Sequence, residues 1–364
     1  MKAQTVPAEL MDGRVWEDFC ESLKRAGQLV VANAPADAFD RAEGLRYAGR
    51  IAGYALRNFI EESDPAAPQL AALPKLGGDN PDYLYSRAAI SGDFEYRLRG
   101  KRGDAAFLGF GSYHGDVGTE EGLRVSGYLA GAELETDGEG NFEIHISCSE
   151  QPGNWLPMLP ETRQLMIRQA LVDRRRQRPA HFEIERLGET GAPRPLDAET
   201  YTRQLQQAGS YVEGAIAQFL AWSRNFAETP NQVLPLDSEL AGNAQGDPNT
   251  HYYGGYYEIG DDEALLIDLQ PPACEYWNLQ LCNHWLESLD YEHHVVHVNH
   301  HGAVADETGR VRVVVAHREP ALPNWLDTAG HRRGGMFLRW VGTPDPYDPQ
   351  CRVVPYHEVA GESA

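Results

Sequence analysis

An internal repeat constrains the fold of this chain more than any other feature of its sequence. The tripeptide Asn-Trp-Leu occurs at 154–156 and returns at 324–326, which is 170 residues later. Further pairs at offsets of 168 to 171 residues are Gly78-Asp79 with Gly246-Asp247, Tyr85 with Tyr253, Leu98 with Ile267, Phe107 with Tyr276, Gly140 with Gly309, and Ile167 with Leu338. A register that stays nearly constant over this distance indicates two copies of one structural unit.

Strand patterns and helix patterns follow the same division. Short apolar or alternating runs, separated by Gly and Asp turns, fill both copies and are typical of β-strands and hairpins. Apolar residues at helical spacing precede the first copy, at 14–31 and 37–62, and separate the two copies, at 197–228. We therefore predict a mainly β protein with helical additions, α+β overall. It is built from two related β-sandwich or jelly-roll-like units joined by a helical connector, with helices at the amino terminus.

The predicted domain boundaries lie where the pattern changes. An N-terminal helical segment covers 1–77, the first β unit 78–190, the helical connector 191–245, and the second β unit 246–364. The prolines and glycines of the loop at 64–78 end the amino-terminal helices and mark the first boundary.

The charge of the chain limits its partners. Lys and Arg number 32 against 54 Asp and Glu, which gives a formal charge of −22. A surface this acidic repels phosphate backbones and anionic lipid headgroups, so we expect neither a nucleic acid nor a membrane partner. The amino terminus lacks the apolar region of a signal peptide, and we therefore expect a cytoplasmic protein. The expected partner is a small-molecule ligand, and a homo-oligomer is left open.

The cysteines and the common catalytic motifs do not indicate a cofactor. The five cysteines are scattered without a CxxC pair, so we interpret them as reduced thiols, mostly in the core. P-loop, GxSxG, HExxH and dinucleotide-binding signatures do not occur in the sequence. We expect no cofactor.

Several segments together resemble a known bacterial family. They are NPDYLYSRAAI at 80–90, EYRLRGKRGDAAFLGF at 95–110, PGNWLPMLP at 152–160, CEYWNLQLC at 274–282 and PNWLDTAGH at 323–331. As a set they resemble the family catalogued as domain of unknown function 1214, over most of the chain from Gly78 onward. The resemblance implies an all-β, jelly-roll-like architecture with helical additions. It implies no particular reaction, since the family has no settled activity.

Polar residues found in only one copy of the repeat are the better candidates for function, because the scaffold does not require them. His317 and Arg318 stand in the second copy where the first has cysteine and serine. His317 ends a strand and is the candidate general acid or base, while Arg318 would stabilise an oxyanion or a carboxylate. Asp327 and His331, after the second Asn-Trp-Leu, form a second candidate proton-handling pair. The alternative for His317 is a core histidine hydrogen-bonded to the backbone.

From these residues we predict that the protein is an enzyme acting on a neutral, largely apolar or aromatic small molecule. Its chemistry would be cofactor-independent acid/base catalysis, as a lyase, isomerase or hydrolase. Aromatic rings around Gly254-Gly255 and in the following strand suit a pocket for such a molecule. The residues assigned to substrate binding are Tyr253, Tyr256, Tyr257, Trp277, Asn324 and Arg339. The same rings would also suit a sandwich core, and the Asn and Trp of Asn-Trp-Leu suit a turn and a buried ring.

Two other classes of function stay open. A non-catalytic small-molecule-binding or assembly protein would share the aromatic pocket but would need no ionisable groups inside it. A His-ligated metalloenzyme would draw on His297, His300 and His301 in the run EHHVVHVNHH at 292–301. On a strand, His297 and His301 would lie about 13 Å apart, too far to share one ion without a turn.

Overall fold

A computed structural model describes residues 7–119, 121–188, 196–237 and 246–360 of the chain. Its helices are α1 (Ala8–Met11), α2 (Arg14–Asn33), α3 (Ala38–Leu56) and α4 (Ala198–Ala227), with a π-helical turn at Arg57–Glu61 and a 3₁₀ turn at Tyr356–Glu358. Asp37 and Asp197 begin α3 and α4 because each carboxylate accepts a hydrogen bond from a backbone N–H of the first turn. These helices confirm the predicted helical patterns. Among the described helices, none is long and apolar enough to cross a membrane.

The first β unit is a sandwich of two sheets. Its strands are β1 (Ala71–Ala72), β2 (Tyr83–Ala89), β3 (Tyr96–Lys101), β4 (Phe107–Gly115), β5 (Leu123–Ala130), β6 (Asn141–Ser147), β7 (Trp155–Pro157), β8 (Gln164–Ala170) and β9 (His181–Arg186). One sheet has the order β1-β2-β8-β4-β5 and the other β7-β6-β3-β9. Their facing side chains, among them Leu98, Phe110, Ile144 and Ile167, form one buried apolar core.

The second β unit repeats this arrangement. Its strands are β10 (Gln232–Pro235), β11 (Thr250–Glu258), β12 (Glu263–Leu269), β13 (Tyr276–Leu281), β14 (His297–Asn299), β15 (Val311–Ala316), β16 (Trp325–Asp327), β17 (Arg333–Val341) and β18 (Gln350–Pro355). The sheet orders are β10-β11-β17-β13-β14 and β16-β15-β12-β18, so every strand occupies the place of the strand nine earlier in the first unit. The predicted mainly β architecture of two similar units joined by a helix, here α4, is confirmed. Residues 190, 191 and 245, at the predicted domain boundaries, lie outside the described residues.

Strand pairing corrects one detail of the predicted register. Tyr85 on β2 lies opposite Arg168 on β8, and Tyr252 on β11 lies opposite Arg339 on β17. The counterpart of Tyr85 is therefore Tyr252, at an offset of 167 residues, and not Tyr253. The difference matters because a shift of one residue moves a strand side chain to the other face of its sheet.

The two Asn-Trp-Leu segments are structural elements, as one interpretation of the sequence proposed. Asn154 and Asn324 each donate from Nδ2 to two backbone carbonyls and accept at Oδ1 from one backbone N–H. Trp155 and Trp325 donate from Nε1 to a carbonyl of the adjacent strand. The structure thus places Asn324, assigned above to substrate binding, in a backbone clamp, where its amide is fully used by the fold.

The helices form a layer that covers both units. A single apolar cluster joins Val30 of α2, Tyr47 of α3 and Phe219 of α4 to Tyr113 of the first unit and Phe337 of the second. The helices therefore contribute to the packing between the units as well as to the chain connection.

Two glycines allow α4 to approach the backbone of the β4–β5 hairpin. A Cβ atom at Gly214 would overlap the carbonyl oxygen of Gly118, whereas a Cβ at Gly53 in α3 would meet nothing within 4 Å. Alanine normally stabilises a helix by about 0.5–1 kcal/mol relative to glycine. We expect Gly53→Ala to raise the melting temperature and Gly214→Ala to lower it, because α4 must move away from the hairpin. Thermal unfolding followed by circular dichroism measures both, and an increase for Gly214→Ala would contradict this packing.

Candidate functional site at the junction of the two units

A buried hydrogen-bond network joins the segment before β2 to the second unit. The carboxylate of Asp82 accepts hydrogen bonds from Tyr276 Oη at 2.7 Å, from His297 Nε2 at 2.9 Å and from Asn299 Nδ2 at 2.9 Å. Asn80 adds hydrogen bonds to Tyr276 and to the amide of Asn278. A polar junction this deeply buried is stable only when its groups satisfy one another.

Beside this network lies a cavity bounded by both units and by α4. Its volume is about 70 Å³. The apolar part of its wall includes Leu76, Val117, Phe219, Trp222, Leu236 and Phe337, and the polar part includes Asp79, Tyr83, Tyr85, Arg168, Tyr252 and Arg339. A water molecule takes about 30 Å³ of liquid volume, so the cavity has room for a small solute.

Two arginines at corresponding positions of the repeat supply the positive charge of the cavity. Arg168 and Arg339 are only 3% and 5% exposed. Arg168 donates to Tyr113 Oη at 2.8 Å, and Arg339 donates to Gln280 Oε1 at 2.7 Å and to the carbonyl oxygen of Gly78. A guanidinium keeps its charge even when buried, so both bring permanent positive charge to the cavity.

Two carboxyl groups lie near these arginines. Burial raises the pKa of Asp79, although the charge of Lys75 and hydrogen bonds from Ser288 act in the opposite direction. Burial also raises the pKa of Asp247, against the charge of Arg168. Both carboxyl groups are therefore harder to ionise than exposed ones, which limits how far they neutralise the arginines.

Tyr83 lines the cavity and carries a buried hydroxyl without a hydrogen-bond partner among the described residues. The side chain is 6% exposed, and its hydroxyl has no hydrogen-bond partner among the described residues. Its ring packs against Phe107 and Tyr276. Burial raises the pKa of Tyr83 well above the usual tyrosine value, so the hydroxyl stays protonated and can donate. A buried donor without an acceptor is costly, and a bound solute would remove that cost.

Both ring nitrogens of His317 form hydrogen bonds within the protein. Its Nδ1 is 2.8 Å from Thr328 Oγ1, and its Nε2 is 3.1 Å from the carbonyl oxygen of Ile259. Since a neutral ring can accept from the first and donate to the second, both nitrogens are satisfied. The alternative was a core histidine hydrogen-bonded to the backbone; the ring is half-buried and has one side-chain and one backbone partner.

The other predicted catalytic residues do not meet at one site. Arg318 is exposed and pairs with Asp262 at 3.0 Å. Asp327 and His331 do not form the expected pair, because Asp327 bonds to His294 at 2.7 Å. His331 Nε2 instead lies 2.7 Å from Glu43 Oε2, and its Nδ1 donates to the carbonyl of Thr328. His331 lines a surface cleft beside the start of α3, away from the cavity between the units.

The buried pair of His331 and Glu43 gives a pH-dependent prediction. Burial lowers the pKa of His331, but the hydrogen bond and charge of Glu43 outweigh it and raise the pKa above its usual value. Burial likewise opposes ionisation of Glu43, but His331 and Arg46 lower its pKa overall. The pair therefore stabilises the fold most between the normal pKa values of Glu and His, about 4.5 and 6.5, and this stabilisation is lost as pH rises through the raised pKa of His331.

We expect Glu43→Gln to lower the free energy of unfolding by about 3 kcal/mol near pH 6, and by clearly less near pH 9. Urea unfolding at the two pH values measures the difference. The matched control is Glu183→Gln, which removes a pair with His181 whose side chains are 78% and 76% exposed. A penalty for Glu43→Gln that does not change with pH would show that the pair is not charged.

The residues assigned to substrate binding are divided between the core and the cavity. β11 pairs with β17 without a bulge, so Tyr252 and Tyr256 share the face towards the helices, and Tyr253 and Tyr257 share the other face. Tyr253, Tyr257 and Trp277 lie in the core of the second sandwich, and Tyr256 packs beneath the helices with its hydroxyl 2.7 Å from His284. Arg339 is the assigned residue that lines the cavity.

The histidine-rich run does not form one strand. Only His297–Asn299 is β-strand, and His297 bonds to Asp82 while the ring of His300 packs on Tyr276. His301 follows in a turn. Among the described residues, no group of three or more His, Cys, Asp or Glu side chains is placed to hold a metal ion. Of the five cysteines, Cys282 is buried in the core, Cys274 and Cys351 are half-buried against the core of the second sandwich, and Cys20 and Cys148 are exposed.

Sequence reasoning missed Tyr83, Arg168 and Glu43. Arg168 is visible in the sequence as the counterpart of Arg339, since the two arginines follow the paired residues Ile167 and Leu338. The preference for polar residues present in only one copy passes over Arg168, although Arg339 itself was assigned to substrate binding. Glu43 gave no sequence signal, because it meets His331 across 288 residues of chain.

These observations define a class of protein: a doubled β-sandwich with a layer of helices and a cavity between its two units. A solved structure of an uncharacterized protein from Burkholderia cenocepacia is 40% identical, with 96% of this chain and 99% of that chain covered and a TM-score of 0.93. The chain belongs to the same family as that protein. The VPA0106 protein from Vibrio parahaemolyticus shares the fold at 12% identity, with 84% and 96% covered and a TM-score of 0.51. No family model and no curated protein matches the chain, so the resemblance to domain of unknown function 1214 stays a prediction.

Proposed function

We propose that this protein binds a small molecule, without transforming it, in the cavity between its two units. The observations that carry the proposal concern Tyr83, which lines the cavity and whose buried hydroxyl has no hydrogen-bond partner among the described residues. Arg339, in the same wall, directs only part of its hydrogen-bonding capacity to the protein. A site with an apolar wall and a few directed polar groups is the usual form of a small-molecule site.

The non-catalytic alternative is preferred over the enzyme for a geometric reason. None of the four predicted catalytic residues, His317, Arg318, Asp327 and His331, lines this cavity. A general acid or base must come within hydrogen-bond distance of the bound molecule. The side chains of the cavity wall are instead suited to hold and orient a solute.

A cavity-filling substitution tests the proposal. We expect at least one member of a panel of two- to five-carbon acids, amides and alcohols to raise the melting temperature of the wild-type protein. A ligand at 100 times its Kd stabilises a protein by about 2.7 kcal/mol. Val117→Phe places a larger side chain in the cavity wall and should remove the shift, while Val304→Phe, at a position that is 55% exposed, should keep it. The proposal fails if no solute shifts the wild type, or if Val117→Phe responds like the wild type.

A further inference from the structure

We propose that the molecule bound in this cavity is a short-chain carboxylate. Its carboxylate would be held by the guanidinium of Arg339 and the hydroxyl of Tyr83, and its alkyl part would lie against the rings of Phe219, Trp222 and Phe337. The inference rests on the proposed function, because it assigns the chemical class of the ligand for the same cavity.

The distribution of charge around the cavity favours an anion. The hydrogen-bond acceptors of Arg339 are neutral, namely Gln280 Oε1 and the carbonyl oxygen of Gly78. Within the described part of the chain, no carboxylate lies within 4 Å of its guanidinium. Lys75 and Arg339 both act on Asp79, and Arg168 acts on Asp247, so among the described residues three cations share two carboxyl groups. An anion bound near Arg339 would compensate the remaining positive charge.

The geometry of the donors favours a carboxylate. Arg339 uses two of its five N–H groups on the two neutral acceptors, so the remaining groups can bind both oxygens of one carboxylate. The hydroxyl of Tyr83 supplies a further donor in the same wall. The ring centroids of Tyr252 and Phe337 lie 5.7 Å and 5.5 Å from the guanidinium carbon of Arg339. Both rings therefore limit the movement of the guanidinium group.

The size of the cavity favours a ligand of a few carbon atoms. A volume of about 70 Å³ suits a small solute such as acetate or propionate. The apolar rings favour an alkyl group over a second charged group, and a single excess charge favours a monoanion over phosphate. At the highest binding efficiency known for small ligands, a carboxylate with this few non-hydrogen atoms can bind in the micromolar range.

Isothermal titration calorimetry of the full chain tests the inference with sodium propionate, neutral propionamide of the same size, and sodium phosphate. We expect propionate to bind at least 30-fold more tightly than propionamide and than phosphate. Arg339→Met should abolish propionate binding, and Tyr83→Phe should weaken it about tenfold. Because the Tyr83 hydroxyl bonds to no described residue, Tyr83→Phe should fold normally and keeps the test informative if Arg339→Met does not fold. The matched control, Arg318→Met, removes an exposed arginine and should leave propionate binding unchanged.

The outcomes separate the two proposals. Equal binding of propionate and propionamide, lost in Val117→Phe, would overturn the carboxylate while supporting a ligand site in the cavity. Tighter binding of phosphate would also overturn the carboxylate. If none of the three solutes, nor any member of the wider panel, binds the wild type, both proposals fail.

Discussion

Asp82→Ala is expected to lower the free energy of unfolding by about 3–5 kcal/mol, because it removes a buried carboxylate that accepts hydrogen bonds from three side chains at the junction of the units. Those donors, on Tyr276, His297 and Asn299, belong to the second unit, and Asp82 itself is 2% exposed. Without the carboxylate, Tyr276 and Asn299 keep only their longer bonds to Asn80 Oδ1, at 3.2 Å, and to the carbonyl oxygen of Val172, at 3.1 Å, and His297 Nε2 loses its acceptor. The midpoint of the first urea unfolding transition, followed by circular dichroism, measures the loss.

The matched control for this substitution is Asp262→Ala. Asp262 also bonds to a side chain, the guanidinium of Arg318, but its own side chain is 92% exposed. Exposed ion pairs contribute about 0–1 kcal/mol, so this variant should unfold almost like the wild type. If Asp82→Ala costs no more than Asp262→Ala, the network does not hold the units together.

Trp285→Ala should cost about 3–5 kcal/mol, since it removes the ring that fixes α3 to the second unit. Trp285 is 1% exposed and donates from Nε1 to the carbonyl oxygen of Asp40 at 2.8 Å. Its ring lies against Gly44, where a Cβ would overlap it. The cavity left by the substitution cannot be filled by its neighbours without moving the helix. Thermal unfolding measures the cost.

The control for this second variant is Trp16→Ala on α2, where the ring is 55% exposed. A surface substitution of this kind changes stability by about 0.5 kcal/mol or less. A small loss for Trp285→Ala, similar to that of Trp16→Ala, would mean that α3 is not anchored by this ring.

The fold could be predicted because the sequence contains it twice. Leu98 and Ile267 do occupy corresponding strands, β3 and β12, and each copy has the same order of strands in both sheets. The sequence did not decide how the tyrosines around Gly254-Gly255 divide between the two faces of β11, nor which face meets the sandwich core. That choice depends on packing against α4 and the second sheet, which lie far away in the sequence.

The candidate site could be predicted only in part. Arg339 was assigned to substrate binding and lines the cavity, whereas His317 and His331 were singled out for reactivity and are held by Thr328 and Glu43. A histidine in a sequence does not reveal whether its nitrogens are already bonded. The cavity itself arises where two units and a helix meet, and no local pattern encodes such a meeting point.

Equilibrium dialysis with radiolabelled propionate decides whether the space between the two units is a binding site. The wild-type protein should bind about one propionate per chain, and both Val117→Phe and Arg339→Met should bind none while keeping the wild-type circular dichroism spectrum. Absence of binding to the wild type, or equal binding to all three proteins, would contradict a ligand site in this cavity.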